Sequence, residues 1–108
     1  MEENQDAPIE QKDPSALSLG GNIQLNGFQN VEKAKMIVLK KLIGNYVRQI
    51  QEKKSDYEKI KITLEEGENN AKIMVGLTAG GNQITSESQQ KNVFIAIDES
   101  LKKILEGI

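Results

Sequence analysis

Hydrophobic residues recur along this chain with two different periods. Apolar and polar residues alternate over residues 22–28, 57–65 and 71–79, which predicts three strands with one buried face each. A short polar run at 83–88 follows Gly-Gly-Asn at 80–82, a sequence that favours a tight hairpin because both residue types accept positive φ. We therefore predict a fourth strand at 83–88. The residues predicted to point inward from the strands are Ile23, Leu25, Ile60, Ile62, Leu64, Ile73, Val75 and Leu77.

Two other segments carry apolar residues at the spacing of an amphipathic helix. The first helix is predicted over 31–54 with Asn30 as its N-cap, and the second over 93–106 with Asn92 as its N-cap. The apolar arc of the first helix, predicted to face the core, comprises Val31, Val38, Leu39, Leu42, Ile43, Tyr46, Val47 and Ile50. The apolar face of the second helix comprises Val93, Phe94, Ile97, Leu101, Ile104 and Leu105.

The order strand, helix, three strands, helix is typical of the α+β class. We predict a β-α-β-β-β-α two-layer sandwich in which both helices cover one face of a four-stranded sheet. A right-handed crossover through the first helix would make the first two strands parallel. The domain is expected to span residues 21–108. Residues 1–20 hold both prolines, lack a periodic pattern and carry net negative charge, which predicts a disordered acidic tail.

The composition excludes several classes of active site. The chain has 108 residues without Cys or His, so disulfides and Ser-His-Asp or Cys-His catalytic sets are excluded. No glycine loop with the spacing of a common phosphate-binding motif occurs. Glu65, Glu66 and Glu68 are grouped, but without the spacing of a calcium-binding loop they indicate a solvated turn. We predict a protein that is not an enzyme, binds no cofactor or metal and takes no small-molecule substrate.

The sequence carries no signal for a membrane or for secretion. No apolar run approaches the roughly 18–20 residues needed to span a bilayer. The N-terminus has neither a basic segment nor an apolar one, so it does not resemble a secretory signal. A cytoplasmic location is therefore expected.

The formal net charge of −2 conceals an asymmetry along the chain. Residues 31–54 hold seven Lys or Arg and only two Glu. Around the predicted helix, the arc opposite the apolar one contains Ile37, Gly44 and four cations. We call these cations the basic stripe, which comprises Lys33, Lys40, Lys41 and Arg48.

Two details of this arc favour contact with a nucleic acid. The part that holds the stripe contains no acid, whereas solvated helix faces usually mix the two signs. Gly44 lies in the middle of the helix, where the missing side chain would let a nucleic-acid backbone approach closely, although a packing role is also possible. Ile37 is predicted to be exposed among the lysines, where it could pack on a ribose or a base. A solvated helix face without a partner remains the alternative interpretation.

Residues 83–105, QITSESQQKNVFIAIDESLKKIL, resemble the ribosome hibernation promoting factor family, also called ribosome-associated inhibitor A proteins. In that family the last strand leads into a pattern like G-x-D-hydrophobic-Y-x-A-I-D and then an amphipathic helix. This chain departs from it at Gln90, Asn92 and Phe94, where the family usually has Gly, Asp and Tyr. The matching positions here are Asn92, Val93, Phe94, Ala96, Ile97 and Asp98. The stretch NIQLNGFQNVEKA also looks like the family's first strand and helix start, so the likeness covers about residues 22–106.

This resemblance implies a function on the ribosome. Family members have the β-α-β-β-β-α fold, bind the small ribosomal subunit in the decoding channel, block translation and preserve inactive ribosomes. By resemblance, the partners here would be the small subunit and its ribosomal RNA. The residues implied to contact RNA are Lys33, Lys40, Lys41 and Arg48 of the first helix, with Lys91, Lys102 and Lys103 extending the patch from the second. Because the chain ends at Ile108, directly after the second helix, it resembles the short form of the family, and a monomer is expected.

Two other functions remain open from the residues alone. A module similar to double-stranded RNA-binding domains would share the run of three strands and a helix, and would bind duplex RNA away from the ribosome. A protein–protein adaptor would dock a partner through its sheet or a helix. The adaptor predicts weak salt dependence of binding and no effect of charge reversal on the first helix.

Overall fold

The protein folds as one five-stranded sheet with two helices packed against it. The structure is a computed structural model that describes residues 17–20 and 22–108. In chain order the elements are β1 (Leu17–Gly20), β2 (Ile23–Asn26), α1 (Lys33–Lys53), β3 (Tyr57–Gly67), β4 (Asn70–Ala79), β5 (Asn82–Gln90) and α2 (Val93–Glu106). The strands lie in the order β1-β2-β3-β4-β5, with β2 and β3 parallel and the other neighbours antiparallel. The predicted α+β fold is confirmed, and the predicted β-α-β-β-β-α order is that of β2 to α2; β1 is a strand beyond the four predicted.

Both helices cover the same face of the sheet. In β4 the buried residues alternate strictly with half-buried ones, so that one face meets the core and the other is open to solvent. The helices contribute to one continuous core with that face, because a sheet with one apolar face is stable only when something covers it. The buried helix residues are Leu39, Ile43, Val47 and Ile50 from α1, with Ala96, Ile97, Ser100, Leu101 and Ile104 from α2.

The two hairpins follow from residues that tolerate positive φ. Gly80 and Gly81 form the two-residue turn between β4 and β5, with φ of 58° and 80°. A Cβ on Gly80 would also collide with the carboxylate of Asp56. Between β3 and β4, Asn69 has φ of 54°. The hairpin predicted at 80–82 is therefore confirmed, and its two-residue loop fixes the register of β5 on β4.

The first helix begins later than predicted, and Asn30 is not its cap. The N-cap is Glu32, which makes no side-chain capping hydrogen bond. Phe28 is buried, and its carbonyl accepts a hydrogen bond from the Val31 amide at 3.1 Å. Because this turn brings Phe28 and Val31 to the core before the helix starts, Asn30 lies in the turn instead of at the helix end.

One member of the predicted core-facing arc is on the surface. Val38 is 53% exposed, although its neighbour Leu39 is fully buried. Successive residues point about 100° apart around a helix. The sheet and α2 cover only the arc centred on the buried residues of α1, so Val38 lies beyond their reach.

The sheet starts earlier than predicted. Leu17–Gly20 pair antiparallel with β2, so the expectation of disorder over 1–20 is wrong for these four residues. The run Leu-Ser-Leu-Gly has the period-two pattern of a strand, and Leu17 pairs with Leu25. The rest of the predicted tail, residues 1–16, and Gly21 lie outside the described residues.

Candidate nucleic-acid interface

The rotation of α1 about its own axis decides which residues form the candidate interface. Its buried residues anchor one side of the helix against the sheet and α2, and therefore leave the opposite side facing solvent. The stripe residues Lys33, Lys40, Lys41 and Arg48 are all exposed, as predicted. From Lys33 to Arg48 the stripe runs roughly 22 Å along the helix at about 1.5 Å per residue.

The stripe cations have no ion-pair partners among the described residues. Between Lys33 and Lys53, the single acid of α1 is Glu52 in its last turn. Within the described ranges 17–20 and 22–108, none of the four cations forms a salt bridge. The pairs that do form, Lys54 with Asp56 and Lys72 with Glu87, lie elsewhere. Apart from Glu52, four residues after Arg48, no acid of α1 lies near the stripe, so its positive charge is largely uncompensated within the described residues.

Gly44 is not required by packing within the domain. A Cβ built on Gly44 would have no atom of another element within 4 Å, and the residue is exposed in the middle of the stripe's arc. The packing explanation that the sequence left open therefore does not apply to the described residues. Glycine inside a helix destabilises it by up to about 1 kcal/mol relative to alanine. The remaining effect of Gly44 is a local absence of side-chain bulk beside Lys40, Lys41 and Arg48.

The position of α2 separates its lysines from the stripe. Tyr46 donates a hydrogen bond to Oδ1 of Asp98 at 2.6 Å, and Lys53 donates one to the carbonyl of Leu105 at 3.0 Å. Because both contacts advance in the same direction along the two helices, α1 and α2 run side by side and parallel. Tyr46 and Lys53 mark the α2-facing side of α1, and the stripe lies about 100° or more from it around the helix.

Lys102 and Lys103 do not continue the stripe. Lys103 donates a hydrogen bond to the carbonyl of Glu87 in β5 at 2.8 Å, on the side of α2 that faces away from α1. Lys102 is exposed, but Asp98 and Glu106 lie four residues to either side of it. The outer face of α2 thus mixes charges, in contrast to the outer face of α1.

Lys91 lies beside a cation that the sequence analysis did not select. It lines a groove of about 290 Å³ with Lys35, at the end of the domain where both helices begin. At about 100° per residue, Lys35 falls outside the arc of the stripe, so helical periodicity gave no reason to select it. In the structure it lies on the side of α1 that faces α2. Its place beside Lys91 depends on how the helices pack, for which the sequence gives no signal. Between the lysines the groove is lined by Glu66, Gly67, Asn69, Asn70, Ala71, Asn92, Val93 and Phe94.

Two acids of α2 make hydrogen bonds to neighbouring elements. Glu99 accepts hydrogen bonds from Ser88 at 2.6 Å and Gln90 at 2.9 Å, both in β5, and these bonds lower the pKa of the Glu99 carboxyl. Asp98 instead faces Tyr46 on α1. The two carboxylates therefore point to different neighbours and do not form an acid pair. Across the described chain, no three His, Cys, Asp or Glu side chains are grouped so as to hold a metal ion.

Neither described helix is long and apolar enough to cross a membrane. The helix layer is instead amphipathic, with its apolar residues directed to the sheet. Its exposed charge, concentrated on α1, is the main chemical feature of the surface described above.

Comparison with known proteins identifies the fold. No family model matches the chain, and no curated protein matches it. Among solved structures, it is similar to a ribosomal subunit interface protein from Coxiella burnetii, with 16% identity and a TM-score of 0.63 over 79% of this chain and 90% of that one. It is also similar to the N-terminal domain of Protein Y from Thermus thermophilus, with 17% identity and a TM-score of 0.55 over 71% of this chain and 81% of that one. The chain therefore has the fold of these two proteins, in agreement with the resemblance noted in its sequence.

Proposed function

We propose that this protein binds the small ribosomal subunit, inhibits translation by occupying it, and protects inactive ribosomes in the cytoplasm without catalysing a reaction. The observation that carries the proposal is the fold shared with a protein named for the ribosomal subunit interface. The uncompensated stripe on α1 supports it, because ribosomal RNA is the most abundant polyanion such a surface would meet.

The stripe supplies the electrostatic part of binding. Four cations along roughly 22 Å match the spacing of several backbone phosphates, and each contact releases a condensed counterion. The logarithm of the binding constant should then fall with the logarithm of salt concentration, with a slope of about −3 to −4. Gly44 leaves space for the RNA backbone between the cations.

The predicted RNA-binding residues contribute unequally under this proposal. Lys33, Lys40, Lys41 and Arg48 make the main contacts, because they are exposed and share one arc of α1. Lys91, with Lys35, adds a second point of contact at the end where both helices begin. Lys102 is peripheral, and the amine of Lys103 stays on β5.

Co-sedimentation of the purified chain with small ribosomal subunits from its own source, at low and moderate salt, tests this proposal. Wild-type protein should bind stoichiometrically at low salt and more weakly at moderate salt. The double variant Lys40→Glu/Arg48→Glu should lose binding while remaining folded by circular dichroism, because both side chains are exposed.

The matched control places the same charge change on the opposite face. Lys59 and Lys61 are exposed on β3, and they alternate with buried Ile60 and Ile62, so they point to the open side of the sheet. Lys59→Glu/Lys61→Glu should bind as wild type does. Equal loss in both variants would mean that net charge and not the stripe governs binding. Absence of wild-type binding at low salt would refute the proposal, and preference for generic duplex RNA would favour the double-stranded RNA-binding alternative.

A further inference from the structure

Three large apolar side chains are exposed at one end of the helix layer. Within the part of the chain that the structure describes, the exposed large hydrophobic residues are Ile37, Val38 and Ile95, with 60%, 53% and 50% of their surface accessible. Isolated apolar residues are common on protein surfaces and need no explanation. Here all three lie in the first halves of the two helices, and none lies on β2 to β5.

Two of these residues border the basic stripe on α1. Ile37 lies on the arc of the stripe, and Val38 lies about 100° from it around the helix. Ile95 lies on α2, which packs against the side of α1 that carries Tyr46 and not against the stripe. We call Ile37 and Val38 the apolar patch.

The charges around the patch restrict what can cover it. Ile37 has Lys33 four residues before it and Lys40 and Lys41 three and four residues after it, all exposed. An occupant must therefore bring negative charge to the lysines and apolar surface to the patch at the same time.

Unpaired nucleotides of RNA combine these two properties. A regular A-form duplex presents phosphates and 2′-hydroxyls, whereas unpaired nucleotides expose the faces of their bases beside the phosphates. We infer that the apolar patch packs against unpaired nucleotides while the basic stripe binds the adjoining phosphates, an inference that rests on the proposed function. The patch then directs the protein to irregular regions of structured RNA and away from continuous duplexes.

Salt separates the contribution of the patch from that of the stripe. Phosphate contacts weaken with salt, whereas burial of apolar surface does not depend on counterion release. The variant Ile37→Gln/Val38→Gln should bind small subunits roughly 10-fold more weakly than wild type at every salt concentration. Its log–log salt slope should equal that of wild type. Asn45→Gln, on an exposed position of the same helix, is the matched control and should change neither quantity.

Each result of this titration has a definite meaning. Wild-type affinity in the double variant would overturn the inference and leave the proposed function standing. A changed slope would also overturn it, because the loss would then arise through the lysines. If wild-type protein does not bind subunits at all, the proposed function fails, and the inference fails with it.

Cross-linking identifies the occupant directly. A photoreactive benzoylphenylalanine replacing Ile37 in the full chain, bound to small subunits and irradiated, should link to ribosomal RNA at nucleotides that are unpaired. Nuclease digestion of the product would then release the protein. Links only to a ribosomal protein, or only to paired nucleotides, would overturn the assignment.

Discussion

At Gly44, α1 contains a residue that weakens the helix without any packing reason within the described domain. The position is exposed, and a Cβ there would meet open space. Gly81 offers a contrast, because it also has open space but its φ of 80° suits glycine alone. At Gly81 the backbone conformation favours glycine, whereas at Gly44 nothing among the described residues requires it.

Gly44→Ala should raise the free energy of unfolding by up to about 1 kcal/mol, because alanine is the better helix former and meets no obstruction. Gly81→Ala should lower it by about 1 kcal/mol or more, because alanine is strained at positive φ. Denaturant titration of both variants measures these changes. Destabilisation by Gly44→Ala would mean that this glycine has a structural role after all.

At the scale of the elements, side-chain hydrogen bonds hold the helix layer in a defined arrangement. Glu99 ties α2 to β5, and the Tyr46–Asp98 bond ties α1 to α2. The bond to Asp98 is the main cause that raises the pKa of Tyr46 to about 12, with burial and the charges of Asp98 and Glu106 adding to it. This contact joins α1 to α2 beside the buried residues that anchor α1 on the sheet.

The Tyr46–Asp98 bond predicts a dependence of stability on alkaline pH. The folded pKa of about 12 exceeds the value of 10.0 for an unperturbed tyrosine, so the contribution is complete below pH 10 and is lost as pH rises through 12. Tyr46→Phe should lower the free energy of unfolding at neutral pH by about 0.5–1 kcal/mol. The variant should also lose less stability than wild type as the pH rises from 10 to 12.

Denaturation profiles of wild type and Tyr46→Phe against pH measure this effect. Burial also raises the pKa of Tyr57. Both proteins contain Tyr57, so its contribution to the pH dependence cancels when the two profiles are subtracted. Profiles of equal steepness in the alkaline range would contradict the assigned role of Tyr46.

At the scale of the whole molecule, the two helices present different surfaces. The outer face of α1 is basic, that of α2 is mixed, and the open side of the sheet carries polar and charged residues of both signs. Lys103 belongs to the structural part of this arrangement, because its amine binds the carbonyl of Glu87 on the edge strand β5. Such cover over an edge strand also limits pairing with other chains.

Two neutralising substitutions distinguish the surfaces by salt dependence. Under the proposed function, Lys40→Met should reduce the magnitude of the log–log salt slope of ribosome binding by about 0.7–0.9, because it would remove one phosphate contact. Lys103→Met should leave that slope unchanged and instead lower stability, because the backbone carbonyl of Glu87 loses its hydrogen-bond donor. Binding titrations at several salt concentrations, with denaturation curves for both variants, provide the measurement. An equal change of slope in both variants would place Lys103 in the interface.

The sequence alone was sufficient for the local features of this protein. Periods of two and of 3.6 identified three strands and two helices, and the turn at 80–82 indicated the fourth strand. Asn92 was correctly predicted as a cap, with its side chain accepting a hydrogen bond from the Phe94 amide at 2.7 Å. The exposure of the basic stripe also followed from periodicity, because the apolar arc of a single helix determines which side faces solvent.

The tertiary structure decided whatever depends on neighbours distant in sequence. The turn that carries Phe28 into the core displaced the helix start from Asn30, and the limited reach of the sheet and α2 left Val38 exposed. The grouping of Lys35 with Lys91 depends on the parallel packing of α1 on α2. The hydrogen bond of Lys103 depends on the proximity of β5. Periodicity describes one element at a time, whereas the composition of a surface depends on which elements lie next to one another.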